Sequence, residues 1–326
     1  MFYKNARIFG TDFQFRRGAF EVKDGRFGLV CPKYVPENAI DLEGATVIPG
    51  LIDIHTHSNF IGDCEGLKAT AQYLAKNGIT SFAPAFPALP CAGLAKAFAS
   101  AKQFQGESPA GHARLMGIQM EGPTENFEDF QTLYTGCNGL IRVVCVAPEL
   151  PGAAEFAEKA SKLCTVSVAH TDASYDDAKN AFARGASHLT HLFGSLPGNR
   201  RDPGVIPAAA ENARVRAELT CDGIQVHPAS VRLAFAIFGA SRMVLVSNAM
   251  EQGHTPAANL YDCLTNAILF GIPEADAIRA ATYNPACALS VQDQVGAIAT
   301  GKRADFIVCR NDYTARRVFL GGQEIT

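Results

Sequence analysis

Through the middle of this chain, short apolar runs alternate with stretches of helical period. The runs are Leu51–His57, Ile79–Phe86, Arg114–Gly122, Leu140–Glu149, Thr165–Asp172, His188–Phe193, Arg216–Gly223 and Met243–Met250. Apolar side chains at consecutive positions, rather than at every second one, mark strands covered on both faces, as in a parallel sheet. Between them, "LKATAQYLAKNG", "ASYDDAKNAFARG" and "PASVRLAFAIFGA" repeat with helical spacing. In the second of these, Ser174 and Asp177 fit a capping box and Gly185 a C′ stop. Eight strands with intervening helices predict an α/β fold, a (β/α)8 TIM-like barrel. The spacing by itself also permits a doubly wound sheet. The two ends of the chain read differently, as short strands joined by turns, with a hairpin signal at Asp24-Gly25. Residues 1–48 and 294–326 are expected to form one small β-sandwich domain from both termini, beside a barrel of residues 49–293.

The polar residues at the strand ends favour the closed barrel, where chemistry gathers at the C-terminal mouth. The first run ends in His55 and His57, the third in Glu121, the fifth in His170, the sixth in His191 and the eighth in Asn248. The chain has eight histidines, and four of them fall at these ends. Residues two apart on a strand face the same way, so His55 and His57 form a clip. Taken singly, each feature has a plain explanation: a paired histidine, a satisfied core histidine, a turn carboxylate before Gly122-Pro123. Taken together, imidazole nitrogens and one carboxylate on different strands predict a site for zinc, or for iron or another divalent first-row ion. His188, three residues before His191, is expected to face away or to support a ligand from behind, and His112 to lie at the surface. Asp53 is a possible partner for an imidazole. Asp222 and His227 flank the seventh strand and either could line the pocket, although His227-Pro228 also fits the start of a helix. Glu125 and Asp129 are expected in a loop covering the site.

Composition narrows the setting. The chain has 326 residues, 48% hydrophobic and 19% charged, with a net charge of −3. This is an ordinary globular composition with no general attraction to nucleic acid or membrane. No uncharged apolar run is long enough to span a bilayer, and "MFYKNARIFG" lacks the plan of a secretory leader. The ten cysteines are scattered without a C-x-x-C pair. They read as free thiols in a reducing cytoplasm.

The segments "VIPGLIDIHTH", "MEGP", "VAHTDASYDDAKNAFARGASHLTHLF", "DGIQVHP", "LVSNAM" and "GAIATGKRADFIV" together resemble the amidohydrolase superfamily, and within it the N-acetylglucosamine-6-phosphate deacetylase family. The resemblance runs from about residue 45 to the end and matches the family's small domain at the termini. It implies that Glu121, His170 and His191 are the principal metal ligands, with His55 and His57 at a second position used in some members, so one or two ions per subunit. It implies that Arg201 grips a sugar phosphate, that the segment after His191, here Gly194-Ser195, offers backbone N–H groups to it, and that the subunits pair as a homodimer. Four places depart from the pattern. Gly194-Ser195 stands where the family usually has an Asn-Ala pair, a change that keeps backbone donation and loses the side-chain contacts. Gln225 stands where the family has a substrate-contacting histidine, just before His227. "TENFEDF" after "MEGP" lacks another such histidine. Asn248 stands where the family has its catalytic aspartate.

The implied reaction is hydrolysis of the N-acetyl group of an N-acetylhexosamine 6-phosphate, N-acetylglucosamine 6-phosphate first among them. A neutral carboxamide at 248 has no useful basicity. The chain is therefore expected to be a disabled form, either naturally or through an introduced Asp→Asn exchange, and the intact ligand set favours the exchange. Asn248 as a simple turn cap is the bland alternative. Rival functions are another metal-dependent amidohydrolase, acting on N-acyl amino acids or cyclic amides, and a sugar-phosphate-binding protein without catalysis.

Overall fold

The structure is a computed structural model and describes residues 1–57, 64–122, 126–194, 201–249, 259–314 and 316–325. The chain opens with β1 (Phe2–Phe9), β2 (Phe15–Lys23), β3 (Arg26–Val30), β4 (Ile40–Asp41) and β5 (Thr46–Pro49). There follow β6 (Leu51–Thr56), α1 (Cys64–Lys76), β7 (Ile79–Phe86), α2 (Cys91–Glu107), β8 (Arg114–Leu115), β9 (Ile118–Met120), α3 (Phe127–Gly136), β10 (Ile141–Val146) and α4 (Ala153–Ala160). Next come β11 (Thr165–Val168), α5 (Tyr175–Ala183), β12 (His188–Leu189), α6 (Val205–Glu211), β13 (Arg216–Thr220), α7 (Pro228–Phe238) and β14 (Met243–Val246). The chain finishes with α8 (Leu260–Leu269), α9 (Glu274–Ala281), α10 (Tyr283–Ala288), β15 (Phe306–Cys309), β16 (Arg316–Leu320) and β17 (Gln323–Ile325).

The eight apolar runs become one parallel sheet in the order β6-β7-β9-β10-β11-β12-β13-β14. Its two edges meet where Asn248 N–H donates to the His55 carbonyl (3.0 Å) and His57 N–H to that of Ala249 (2.9 Å). The sheet is thus the expected barrel. The third run is split into β8 and β9 at Met116-Gly117. A Cβ on Gly117 would sit 2.2 Å from Cγ of Arg142, so the glycine lets that arginine stem cross the strand. At α5, Ser174 caps as expected, accepting from Asp177 N–H (3.2 Å), and Gly185 beyond the last turn has φ 119°.

Helices pack their apolar faces on the outside of the barrel, through residues such as Leu67, Phe98, Phe130, Phe156, Phe182 and Val231. Its N-terminal end is plugged from below. Ile52, Ile54, Val143, Val244 and Val246 meet Ala286 of α10 and Leu289, Val291 and Val295 after it. Asn284 ties this plug to the start of β14, its Nδ2 donating to the Met243 carbonyl at 2.7 Å.

Both termini share the second sheet, ordered β17-β16-β15-β5-β1-β2-β3, with β4 beside β1. It curls on itself: Phe27 N–H donates to the Lys302 carbonyl and Ala304 N–H to that of Gly25. Tyr3, Phe20, Phe27, Phe306 and Phe319 fill the concave side. One polar cluster joins this sheet to the barrel. The Arg7 guanidinium forms a two-pronged pair with Glu274 on α9 (2.6 and 2.9 Å), and Tyr313 OH donates to the same carboxylate.

Burial pushes the Glu274 carboxyl up, but hydrogen bonds from Arg7 and Tyr313 outweigh it and hold its pKa below the ordinary 4.5. A carboxyl depressed on folding stabilises above its unfolded pKa, and that contribution is lost as pH falls through the folded value. Glu274→Gln is expected to cost about 1–2 kcal/mol at pH 7, near the low end for a charged hydrogen-bonded pair because both partners are partly exposed. Urea unfolding at pH 7 and at pH 3 checks this: the difference between variant and parent should shrink in acid.

Candidate metal centre

Four of the expected ligands are histidines at the C-terminal ends of β6, β11 and β12, and the fifth is Glu121, just past β9. The barrel brings them together. Glu121 Oε1 lies 2.9 Å from His191 Nε2, 3.0 Å from His170 Nε2 and 3.4 Å from His55 Nε2. Glu121 Oε2 lies 3.6 Å from His57 Nε2, and the His55 and His57 Nε2 atoms are 3.3 Å apart. Within each of two triads, His55–His57–Glu121 and Glu121–His170–His191, the ligand atoms all lie within 4.8 Å of one another. The carboxylate is the member common to both.

Local backbone geometry serves this convergence. His170 (φ 49°), His191 (φ 58°) and Asn248 (φ 47°) all adopt the left-handed conformation where their strands end. For a residue other than glycine this costs about 1 kcal/mol or more, although histidine and asparagine tolerate it better than most. Such outliers collect where surrounding structure holds a functional geometry in place. Gly122 meets a different demand: a Cβ there would lie 2.5 Å from Cα of Ala88 on the loop after β7. A glycine after Glu121 lets that loop close against the site.

A second layer lies beneath the first. His55 Nδ1 is 2.8 Å from Oε2 of Glu218 on β13, and Oε1 of the same carboxylate is 3.0 Å from His188 Nε2. His55, His188 and Glu218 are all fully buried. Burial alone would raise the Glu218 carboxyl, but the charge on His55 and hydrogen bonds from both imidazoles bring it down to about 2. Burial likewise pushes the His55 imidazole down, yet Glu218 and Glu121 outweigh it and lift the pKa to about 10. Glu121 is held well below the usual carboxylate range: burial opposes this, and hydrogen bonds from His170, His191 and His55 prevail. His57 is pushed down by burial and by the charge on His55.

These residues fit a divalent first-row ion. Several imidazole nitrogens and a carboxylate face one point, and a buried carboxylate grips the far nitrogen of His55, the usual support of a metal-bound histidine. His188 thus stands behind the site, as one of its two expected placements had it. Among the described residues Asp53 forms no hydrogen bond with an imidazole; its Oδ1 accepts from the backbone N–H groups of His55 and Ser247 (both 3.3 Å). Burial raises that carboxyl to about 6.

Above the cluster is a cavity of about 550 Å³, lined among the described residues by His57, Pro87, Ala88, Glu121, Gly122, His170, His191, Gly194, Gln225 and Asn248. A model of the amidohydrolase family matches residues 46–325. The chain belongs to the amidohydrolase family. That family is metal-dependent, in keeping with the donor set. The N-acetylglucosamine-6-phosphate deacetylase of Vibrio furnissii is 26% identical over 340 residues, spanning 88% of this chain and 84% of that protein. The N-acetylgalactosamine-6-phosphate deacetylase of Escherichia coli is 24% identical over 355 residues, spanning 93% of each. An aspartate-to-alanine variant of the N-acetyl-D-glucosamine-6-phosphate deacetylase of Mycobacterium smegmatis, solved with N-acetyl-D-glucosamine-6-phosphate, superposes with a TM-score of 0.88 at 25% identity. That match covers 100% of this chain and 99% of that one.

The remaining expected substrate residues of this amidohydrolase are placed unevenly. Asn248 Oδ1 lies 3.2 Å from His57 Nε2, and its Nδ2 donates to Gln225 Oε1 at 2.9 Å. Gln225 Nε2 in turn donates to Asp222 Oδ2 (3.0 Å). Gly194 lines the cavity, but its N–H already donates to the His191 carbonyl (2.9 Å). His227 is the N-cap of α7, its Nδ1 accepting from Ala229 N–H (3.1 Å), and is absent from the described cavity lining. Arg201 is exposed on the loop before α6 and is likewise absent from that lining. Ser195 and Glu125 lie outside the described residues, and Asp129 is in the first turn of α3.

Glu218 was not singled out by the sequence pattern, although a carboxylate inside the apolar strand "RAELT" is itself a signal, since a buried charge needs partners. Glu218→Gln should keep the fold yet weaken divalent-ion binding by roughly 10- to 100-fold, the usual effect of losing such a support. Zinc competition against a chromophoric chelator measures it; an unchanged affinity would remove Glu218 from the site.

Proposed function

We propose that this amidohydrolase binds an N-acetylhexosamine 6-phosphate, N-acetylglucosamine 6-phosphate first among candidates, at a zinc-loaded site, and that Asn248 leaves it slow in releasing acetate. The observation that carries the reading is the convergence of Glu121, His170 and His191, with His55 and His57 beside them, on the floor of one cavity at the barrel mouth. Relatives that act on two epimeric sugar phosphates match the chain nearly end to end, which supports the substrate class. A cytoplasmic homodimer is the setting carried over from the family. Among the described residues no helix is long and apolar enough to cross a membrane.

Amide hydrolysis adds water across the C–N bond, giving acetate and the free amino sugar phosphate. A bound divalent ion supplies Lewis acidity at the acyl carbonyl and a lowered pKa for water. The chain must do the rest: hold the acyl group over Glu121, and move a proton from the attacking water to the departing nitrogen. Asn248 borders the ligand cluster, within reach of His57, where such a shuttle belongs. Its carboxamide can hold a water in place but cannot take the proton.

A second reading has its own support. Asp222 fixes the Gln225 amide so that Oε1 faces position 248, which calls for a donor there. Asparagine supplies one; an ionised aspartate would set two acceptors face to face. That polarity favours a chain whose amide at 248 is integral, a sugar-phosphate-binding relative without turnover.

Acetate release from N-acetylglucosamine and N-acetylgalactosamine 6-phosphates, with added zinc, separates the two. On the first reading Asn248→Asp raises the rate by roughly 10²- to 10⁴-fold, the worth of a positioned base. Tight binding of a sugar phosphate with no turnover in Asn248→Asp, or in Asn248→Asp combined with Gln225→His, supports the second. Binding of neither sugar phosphate by the zinc-loaded chain would rule out both.

A further inference from the structure

The barrel has a second polar cavity, of about 230 Å³, at the end opposite the metal centre. It is lined in part by Gln105, Ser108, His112, Arg114, Arg142 and Gln294. Arg114 opens β8, seven residues before Glu121, and Arg142 lies near the start of β10. At the rise of an extended strand that separation is about 20 Å, so the two cavities are distinct. Val291 and Gln294 complete the wall from the segment that plugs the barrel floor.

Its electrostatics are one-sided. Two guanidinium groups line it, and no carboxylate is among the described lining residues. Arg114 has no ion pair among the described residues; burial and the charges of Arg303 and Arg26 disfavour its cation. Asp305, whose charge favours the Arg114 cation, is taken by Arg303 (3.0 Å) and by the N–H of Gly321 (2.7 Å). Arg142 Nε is buried with no hydrogen-bond acceptor among the described residues. A buried guanidinium N–H left unpaired is costly, and an oxyanion is the partner its fork geometry suits best. The Arg142 stem is also held in place, since it lies across Gly117 where a Cβ would be 2.2 Å away. Gln105 Nε2 donates to the Leu115 carbonyl (3.2 Å) and His112 Nδ1 lies 2.8 Å from that of Ala110, so the surrounding wall is pre-set.

We propose that this cavity is an anion site, taking a phosphate group, either free or carried on a small metabolite, between Arg114 and Arg142. A ligand there joins the end of α2, the starts of two barrel strands and the turn leading to the terminal sheet. It therefore stabilises the folded chain by mass action.

The test uses the full chain at low ionic strength, titrated with inorganic phosphate by calorimetry and followed by thermal melting. Saturable binding and a rise in Tm are expected, with affinity at least about tenfold weaker in Arg142→Gln and in Arg114→Gln. Arg201→Gln, at the opposite mouth, should leave this binding unchanged. Glycerol 3-phosphate in place of phosphate distinguishes the two sources: tighter binding points to a carried phosphate, and weaker binding to the free ion. No saturable phosphate binding by the parent chain, or binding that both Arg142→Gln and Arg114→Gln retain, overturns the proposal. Loss in Arg201→Gln alone also overturns it and assigns the anion to the substrate cavity instead. Because neither arginine touches the metal cluster, failure here leaves the reading of that cluster intact.

Discussion

A single carboxylate, Glu121, holds the site together. Four imidazoles from three other strands approach its two oxygens, and each triad of ligand atoms includes it. Placing an ionised carboxylate at 5% exposure is costly unless positive charge or strong donors surround it. The barrel meets that condition by drawing strands far apart in sequence to one mouth, and the buried Glu218 extends the alternation of charge inward through His55 and His188. Acid, base, acid, base are layered from the mouth to the interior, and each layer makes the next tolerable.

Much of this was legible from the pattern of residues, and the reasons are physical. Eight apolar runs separated by helical period leave few architectures, and histidines two apart on a strand share a face. The terminal strands announced themselves by turn residues such as Asp24-Gly25. The convergence of Glu121 with His170 and His191 needed only the rule that barrel chemistry sits at strand C-termini. The interruption at Met116-Gly117 was not legible, because it depends on Arg142, a residue on another strand whose stem occupies the space a side chain at 117 would need.

Side-chain partnerships inside the barrel were harder to read. Glu218 looks like an ordinary strand residue until His55 and His188 are seen on either side of its carboxylate. Asp53 shares a face with His55 by alternation, yet it serves backbone N–H groups, since its position below the mouth puts peptide donors nearer than imidazoles. His227 is drawn to its own helix, where an N-cap acceptor satisfies an amide that the fold would otherwise leave unpaired. Gly194 shows the same competition between local backbone needs and ligand recognition.

The rungs that close the barrel, from Asn248 to His55 and from His57 to Ala249, belong to the very residues whose side chains border the metal cluster. The first and last staves of the cylinder are therefore riveted at the spot where a cation would sit. Filling the centre and locking the circumference are thereby coupled: a cation held there would also hold the first strand against the last.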